Sequence, residues 1–126
     1  TFFPKCESHG ASIILGGPYN SGILASGVRG KHTPYYNYEP ANEEVIKRVA
    51  SIEDICGEFE VPLPAAALQF PLANPLVSSI IPGLDSERQV EQAIAHLDLK
   101  IPLKFWETLK DQGLIECAAP VPTGSD

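Results

Sequence analysis

Two short apolar runs limit what this chain can fold into. Ser12-Ile13-Ile14-Leu15 is preceded by Gly10 and followed by Gly16-Gly17-Pro18, and Val77-Ser78-Ser79-Ile80-Ile81 is closed by Pro82-Gly83. Runs this short, bounded by glycine and proline, read as strands rather than helices, and the first has the continuous apolar character of a buried parallel strand. Helical patterns separate and follow them, so strands alternate with helices as in parallel α/β architecture. A pair of parallel strands cannot cover both of its faces or satisfy both of its edges. The chain therefore reads either as a piece of something larger or as a module whose edges pair with another copy.

The helical patterns carry their own boundaries. Phe2 to His9 reads as the end of a helix stopped by Gly10, because glycine adopts the left-handed conformation that a helix stop needs. Asn42 is placed to cap a helix, with Glu43 and Glu44 in the first turn where carboxylates oppose the positive end of the dipole. Val45, Val49, Ile52, Cys56 and Phe59 define its apolar face, Gly57 weakens its last turn and Val61-Pro62 ends it. Pro64 opens a second helix through Ala65-Ala66-Ala67-Leu68-Gln69-Phe70, and Pro71 should kink or end it. Ser86 caps a third, with Gln89 at the capping-box position and Val90, Ile94 and Leu97 on one face. Pro102 to Gln112 makes the last helix, with Phe105, Trp106 and Leu109 apolar and Gly113 as its stop.

From Val28 to Ala41 the sequence is rich in Gly, Pro, Tyr and Asn and has neither helical nor strand periodicity. Loops of this length in compact domains are usually functional or mobile, and this one would rise from the carboxyl end of the first strand. Tyr35, Tyr36 and Tyr38 either cover a ligand or pack the loop down, and His32 lies where it can border a site. The net charge of -7 opposes long-range attraction to nucleic acid or anionic lipid, so neither partner is expected. No apolar run approaches the roughly 20 residues needed to span a bilayer, and Thr1-Phe2-Phe3-Pro4-Lys5 lacks a signal-peptide pattern, which makes a cytoplasmic setting the expectation. Cys6, Cys56 and Cys117 form no Cys-x-x-Cys pair and read as reduced thiols; together with the scattered His9, His32 and His96 they imply no metal site. Only the end of the 117–126 tail reads as disordered.

Three segments carry a resemblance. Leu15-Gly16-Gly17-Pro18-Tyr19-Asn20-Ser21-Gly22-Ile23-Leu24 resembles the seventh strand and following loop of aldo-keto reductases. Ile80-Ile81-Pro82-Gly83-Leu84-Asp85-Ser86-Glu87-Arg88-Gln89-Val90 resembles the eighth strand and its helix. Between them, Pro62 to Leu72 resembles the alanine-rich helix before that strand, and its Gln69-Phe70-Pro71 is most similar to the aldose 1-dehydrogenase branch, which includes L-fucose and D-threo-aldose dehydrogenases. The fold class implied is α/β, the C-terminal part of a TIM (β/α)8 barrel: the last two β/α units plus a C-terminal helix, incomplete because a whole barrel needs about 250 residues. The resemblance assigns Gly17, Pro18, Tyr19, Asn20, Ser21 and Gly22 to a cofactor pyrophosphate, and Gly83, Asp85, Gln89 and Gln92 to the adenosine end. The residue chemistry agrees, since glycines let backbone approach a phosphate, and the start of the helix after Ser86 offers unpaired amide hydrogens to an anion. The same glycines and cap also serve an ordinary turn and an ordinary helix start.

Departures from the family pattern shape the expectations. Many relatives place an aromatic residue at the position of Gly16, where it stacks on the nicotinamide, so here the platform has to come from elsewhere, the tyrosine loop being the candidate. An arginine of NADP-preferring relatives corresponds to Gln89, a family asparagine to Ala93, and Asp85 sits near the expected ribose, with Arg88 one residue off. NAD is therefore the expected cofactor, with NADP possible. The family's catalytic tyrosine, lysine, aspartate and histidine lie on earlier strands, so no catalytic residue is expected here, and Tyr19, Lys31 and His32 sit in the wrong segments for those roles. The resemblance implies a parent NAD(P)-dependent oxidoreductase that oxidises an aldose at C1 or reduces aldehydes and ketones, with tyrosine taking the hydroxyl proton and the nicotinamide accepting hydride. The implied partners are a small sugar or carbonyl compound and the N-terminal part of the same barrel. The alternative is a free-standing, non-catalytic nucleotide-binding or interaction module.

Overall fold

A computed structural model describes residues 2–123; Thr1 and positions 124–126, which end the tail expected over 117–126, lie outside the described residues. The chain runs α1 (Phe2–Ser8), β1 (Ile13–Gly16), α2 (Ile23–Ser26), β2 (Tyr35–Tyr36), β3 (Glu39–Pro40), α3 (Glu43–Phe59), α4 (Leu63–Leu72), β4 (Val77–Ile81), α5 (Glu87–Asp98) and α6 (Leu103–Asp111). The two apolar runs become β1 and β4, which pair in parallel. Their register slips between Ile13 and Ile14, so that Ile13 faces Val77 while Leu15 faces Ile80 and Gly16 faces Ile81. The slip leaves Ser78 as an extra residue, and its hydroxyl donates to the Ile13 carbonyl at 3.3 Å. Ile13 and Val77 are buried, whereas Ile14 and Ile81 are exposed. Side chains alternate across a strand, so the sheet has one covered and one open face.

The core lies among the helices. Val49, Ile55 and Cys56 of α3, Leu63, Ala65 and Ala66 of α4, and Phe105, Trp106 and Leu109 of α6 close on Ile23 and Ile101. Phe105 meets Phe59 and Trp106 edge-on at centroid separations of 5.8 and 5.0 Å, and Trp106 stacks on Phe70 at 5.9 Å. Edge-to-face and offset arrangements are the ones ring quadrupoles favour. Asn42 caps α3 as expected, accepting from the Val45 amide at 2.9 Å. The apolar stripe from Val45 to Phe59 does turn inward, with Ile55 added beside it.

Several expectations are corrected. Pro71 does not stop α4 at once: the helix runs one residue further, to Leu72, because proline's own φ is helical and its cost is the single missing amide bond and crowding at the carbonyl four residues back. The 28–41 loop is not wholly irregular: Tyr35–Tyr36 pair antiparallel with Glu39–Pro40. The tyrosines do not pack down, since all three are exposed and Tyr38 is 93% exposed; none of the three lines the cavity shared by the loops after β1 and β4. α5 forms as expected, capped by Ser86. Its apolar face remains uncovered, with Val90, Ile94 and Leu97 at 44%, 56% and 40% exposure, and only Ala93 is buried.

The thiols are free, as expected. Burial, with Glu53 nearby as a second cause, pushes the Cys56 thiol up to about 11. At pH 8 its thiolate fraction is then on the order of a thousandth. Peptide mapping after iodoacetamide at that pH should find exposed Cys117 modified first and Cys56 left as thiol while the fold persists.

Candidate functional site

The loop after β1 is built from unusual backbone. Gly17 takes a φ of 60°, and Asn20, Ser21 and Gly22 follow with 44°, 60° and 96°. Left-handed backbone is costly for serine, and its side chain shows what offsets the cost. Asn20 Oδ1 accepts from the Asn37 amide and Ser21 Oγ from the Tyr38 amide, both at 2.8 Å. Asn37 and Tyr38, themselves at φ 51° and 66°, form the tight turn of the β2–β3 hairpin, so turn and loop are clipped together. Each such bond contributes about 1 kcal/mol, so amide exchange at Tyr38 should rise about fivefold in Ser21→Ala. Hydrogen exchange read by mass spectrometry checks this, and unchanged exchange would dissolve the clip.

The neck of the hairpin loop is held separately. Gly27, at φ 72° and ψ -162°, takes a backbone conformation that demands glycine, and a Cβ there would also displace the Glu53 carboxylate. Glu53 accepts from the Val28 amide at 2.7 Å, and His32 Nε2 donates to the Gly27 carbonyl at 3.0 Å. Arg29 and Asp54 pair at 2.6 Å on the surface, where the guanidinium holds the Asp54 carboxyl below its usual range. His32 therefore braces this neck. It lines a small recess of about 100 Å³ under the hairpin.

The second loop leaves the same end of the sheet as the first, because parallel pairing extends through the Gly17 amide to the Ile81 carbonyl at 3.3 Å. Ser86 caps α5 by accepting from the Gln89 amide at 3.1 Å, and Gln89 Oε1 returns to accept from the Asp85 amide at 2.9 Å. That reciprocity commits one side of the Gln89 amide and leaves its NH₂ free to meet a ligand.

The two loops converge on one cavity of about 530 Å³. Gly17, Pro18, Tyr19, Asn20, Ser21 and Gly22 line one side; Gly83, Gln89 and Gln92 line the other. Asp85 is exposed and does not line it. Sequence reasoning missed Ala25, Pro64 and His96, which complete the wall with Leu84 and Ala93. A signal was present for His96, because Gln89, Gln92, Ala93 and His96 stand at the spacing of a single helix face.

A Cβ at Gly17, Gly22 or Gly83 would meet nothing within 4 Å, so these glycines front open space. Among the described residues, the Tyr19, Ser21 and Gly22 amides have no protein acceptor. Burial raises the Tyr19 phenol above its ordinary value, which keeps it a hydrogen-bond donor at neutral pH. Among the described residues, no lysine, arginine, aspartate or glutamate lines the cavity. Neutral donors and glycine-fronted space fit a pyrophosphate held by backbone, while the apolar lower end fits a flat ring system. Gly16 carries no platform, and Tyr35 and Tyr36 border other recesses. Among the described residues there is no His/Cys/Asp/Glu cluster that could hold a metal, and no helix is long and apolar enough to cross a membrane.

The model of the aldo/keto reductase family matches residues 1–113. The chain belongs to that family. This aldo/keto reductase chain is 41% identical over 114 residues to a pyridoxal 4-dehydrogenase of Microbacterium luteolum, covering 90% of the chain and 33% of that protein. It is 36% identical over 112 residues to a D-threo-aldose 1-dehydrogenase of a Pseudomonas species, covering 89% and 34%. A probable voltage-gated potassium channel subunit beta of Arabidopsis thaliana is 31% identical over 113 residues, covering 81% and 34%. In structure the chain is similar to an aldo-keto reductase of Bacillus halodurans in its holo form, with a TM-score of 0.63 at 21% identity, over 94% of the chain and 38% of that protein. The aldo/keto reductase chain thus spans about a third of the length of its curated relatives. Its fold is a partial α/β fold of that family's barrel.

Proposed function

We propose that the chain is the carboxyl-terminal, nucleotide-holding portion of an NAD(P)-dependent oxidoreductase, cytoplasmic, whose barrel is completed by elements outside it. The observation that carries this reading is the convergence of the loops after β1 and β4 on one cavity. Ligands in this fold sit beyond the carboxyl ends of the strands, where both loops lie. The exposed apolar face of α5 and the open sheet face at Ile14 and Ile81 support a covering partner, for which the N-terminal part of the same barrel is the simplest source. Relatives named as a pyridoxal 4-dehydrogenase and a D-threo-aldose 1-dehydrogenase support oxidation of a CH–OH group in an aldose or a related small carbonyl compound.

In this reading the bound nicotinamide supplies hydride acceptance. The chain's residues hold the nucleotide: Gly17 to Gly22 present amide hydrogens and the Tyr19 hydroxyl to the pyrophosphate, while Gly83, Gln89 and Gln92 border the adenosine half. None of its side chains is assigned a catalytic role. The lining without lysine or arginine favours NAD, because a 2'-phosphate there would lose water without gaining a cationic partner. In titrations of the complete polypeptide followed by reduced-nicotinamide fluorescence, NADH should bind at least tenfold more tightly than NADPH. Tighter NADPH binding would overturn the preference, and binding of neither would overturn the function.

A further inference from the structure

A second cavity, of about 470 Å³, shares only Asn20 with the cavity of the two loops among the described residues. Its floor is the edge of the core, made by Ile23 and Leu24 of α2 and by Val45, Val49 and Ile52 of α3. Tyr36 borders it from the hairpin, and Glu44 and Arg48 border it from α3. These two stand four residues apart with the glutamate first, the order that favours an ion pair, and at that spacing Cβ atoms lie about 6 Å from each other. They do not pair. Among the described residues the ion pair is Arg29 with Asp54, and Arg48 Nη2 donates instead to the Leu114 carbonyl at 2.9 Å. That bond holds the guanidinium against the chain after α6 and leaves its Nη1 uncommitted, while the Glu44 carboxylate has no protein partner among the described residues. Asn20 adds a donor, since its Oδ1 is taken by the Asn37 amide and its NH₂ has no acceptor among the described residues.

We infer that this cavity binds a free α-amino acid with an apolar side chain, its ammonium group facing Glu44, its carboxylate facing Arg48 and its side chain resting on the floor of α2 and α3. The inference is independent of the nucleotide reading. An anion and a cation held apart beside an apolar floor are complementary to a small molecule that carries both charges next to an apolar group. A ligand with one charge leaves the other unmatched. Both side chains are exposed, so each charge contributes modestly and its attraction is screened by salt.

The test is calorimetric titration of the complete polypeptide at pH 7 with L-leucine, with leucinamide, which keeps the ammonium group alone, and with 4-methylpentanoate, which keeps the carboxylate alone. L-Leucine should bind with a Kd of about 1 mM or tighter, and about threefold to fivefold more tightly than either analogue. Glu44→Gln should bring leucine down to the level of 4-methylpentanoate and leave 4-methylpentanoate within about twofold of its wild-type affinity. Because Glu44 makes no bond to the rest of the chain among the described residues, such a loss is not a loss of fold. Arg48→Gln should bring leucine down to the level of leucinamide, and raised ionic strength should narrow the preference in the wild type. Equal affinity for the three compounds would reduce the cavity to an apolar recess. Leucine affinity unchanged in both variants would place the amino acid elsewhere, and no binding at about 10 mM leucine would leave Glu44 and Arg48 as solvated charges. Each of these three results overturns the inference and leaves the nucleotide reading untouched.

Discussion

Phe105→Ala should lower the free energy of unfolding by about 3–5 kcal/mol, the range for emptying an aromatic site in a packed core. Phe105 is fully buried and is the hinge of the aromatic cluster, meeting Phe59 and Trp106 edge-on, so its removal opens a void between α6 and α3. Marginal domains have only about 5–15 kcal/mol in total, so this one change removes about a fifth or more of the reserve. The neighbouring Trp106 behaves differently. Its Nε1–H is buried without a partner among the described residues, a condition that costs about 1–3 kcal/mol. Trp106→Phe gives up apolar contact and relieves that cost together, and should shift stability by less than about 1 kcal/mol. Urea unfolding of the complete polypeptide checks both. A loss for Trp106→Phe as large as that for Phe105→Ala would mean that the indole N–H has found a partner.

What the sequence revealed follows from how local the causes are. β4, the Asn42 and Ser86 caps, the inward stripe of α3 and the α6 trio Phe105, Trp106 and Leu109 are each written within a few neighbouring residues, and each forms where the pattern places it. The hairpin at Tyr35 to Pro40 was hidden because two-residue strands have no periodicity to detect. Its turn is held from outside by Asn20 and Ser21, seventeen positions away in both cases. The apolar face of α5 was legible, but exposure was not: Val90, Ile94 and Leu97 share a face as the pattern states, and among the described residues that face stays open. The site was legible as two separate loop motifs. Their meeting depends on the β1–β4 pairing, and the foot of the cavity at Ala25, Pro64 and His96 is drawn from three helices that share no motif.

Gly83→Asp should weaken dinucleotide binding on the order of 30-fold, about 2 kcal/mol, while leaving the fold intact. The space argument comes first. A Cβ at Gly83 meets nothing within 4 Å and the backbone there is not left-handed, so Gly83→Ala should bind within about twofold of wild type. Any loss in the aspartate variant is then a loss of charge complementarity rather than of shape. Gly83 borders the cavity opposite the Gly17 to Gly22 turn, so a carboxylate there faces the locus assigned to the pyrophosphate. At an effective dielectric constant near 20, like charges at contact distance repel by several kcal/mol, and solvent at the mouth reduces this to the figure expected. Gly83→Asn has nearly the same shape without the charge, and should fall close to the alanine variant. Raising ionic strength should narrow the gap between the asparagine and aspartate forms, because screening acts on charge alone. If both polar variants lost affinity equally and salt left the gap unchanged, the loop after β4 would be a steric wall of the cavity, and the phosphate would have to lie along the amides of Tyr19, Ser21 and Gly22 alone.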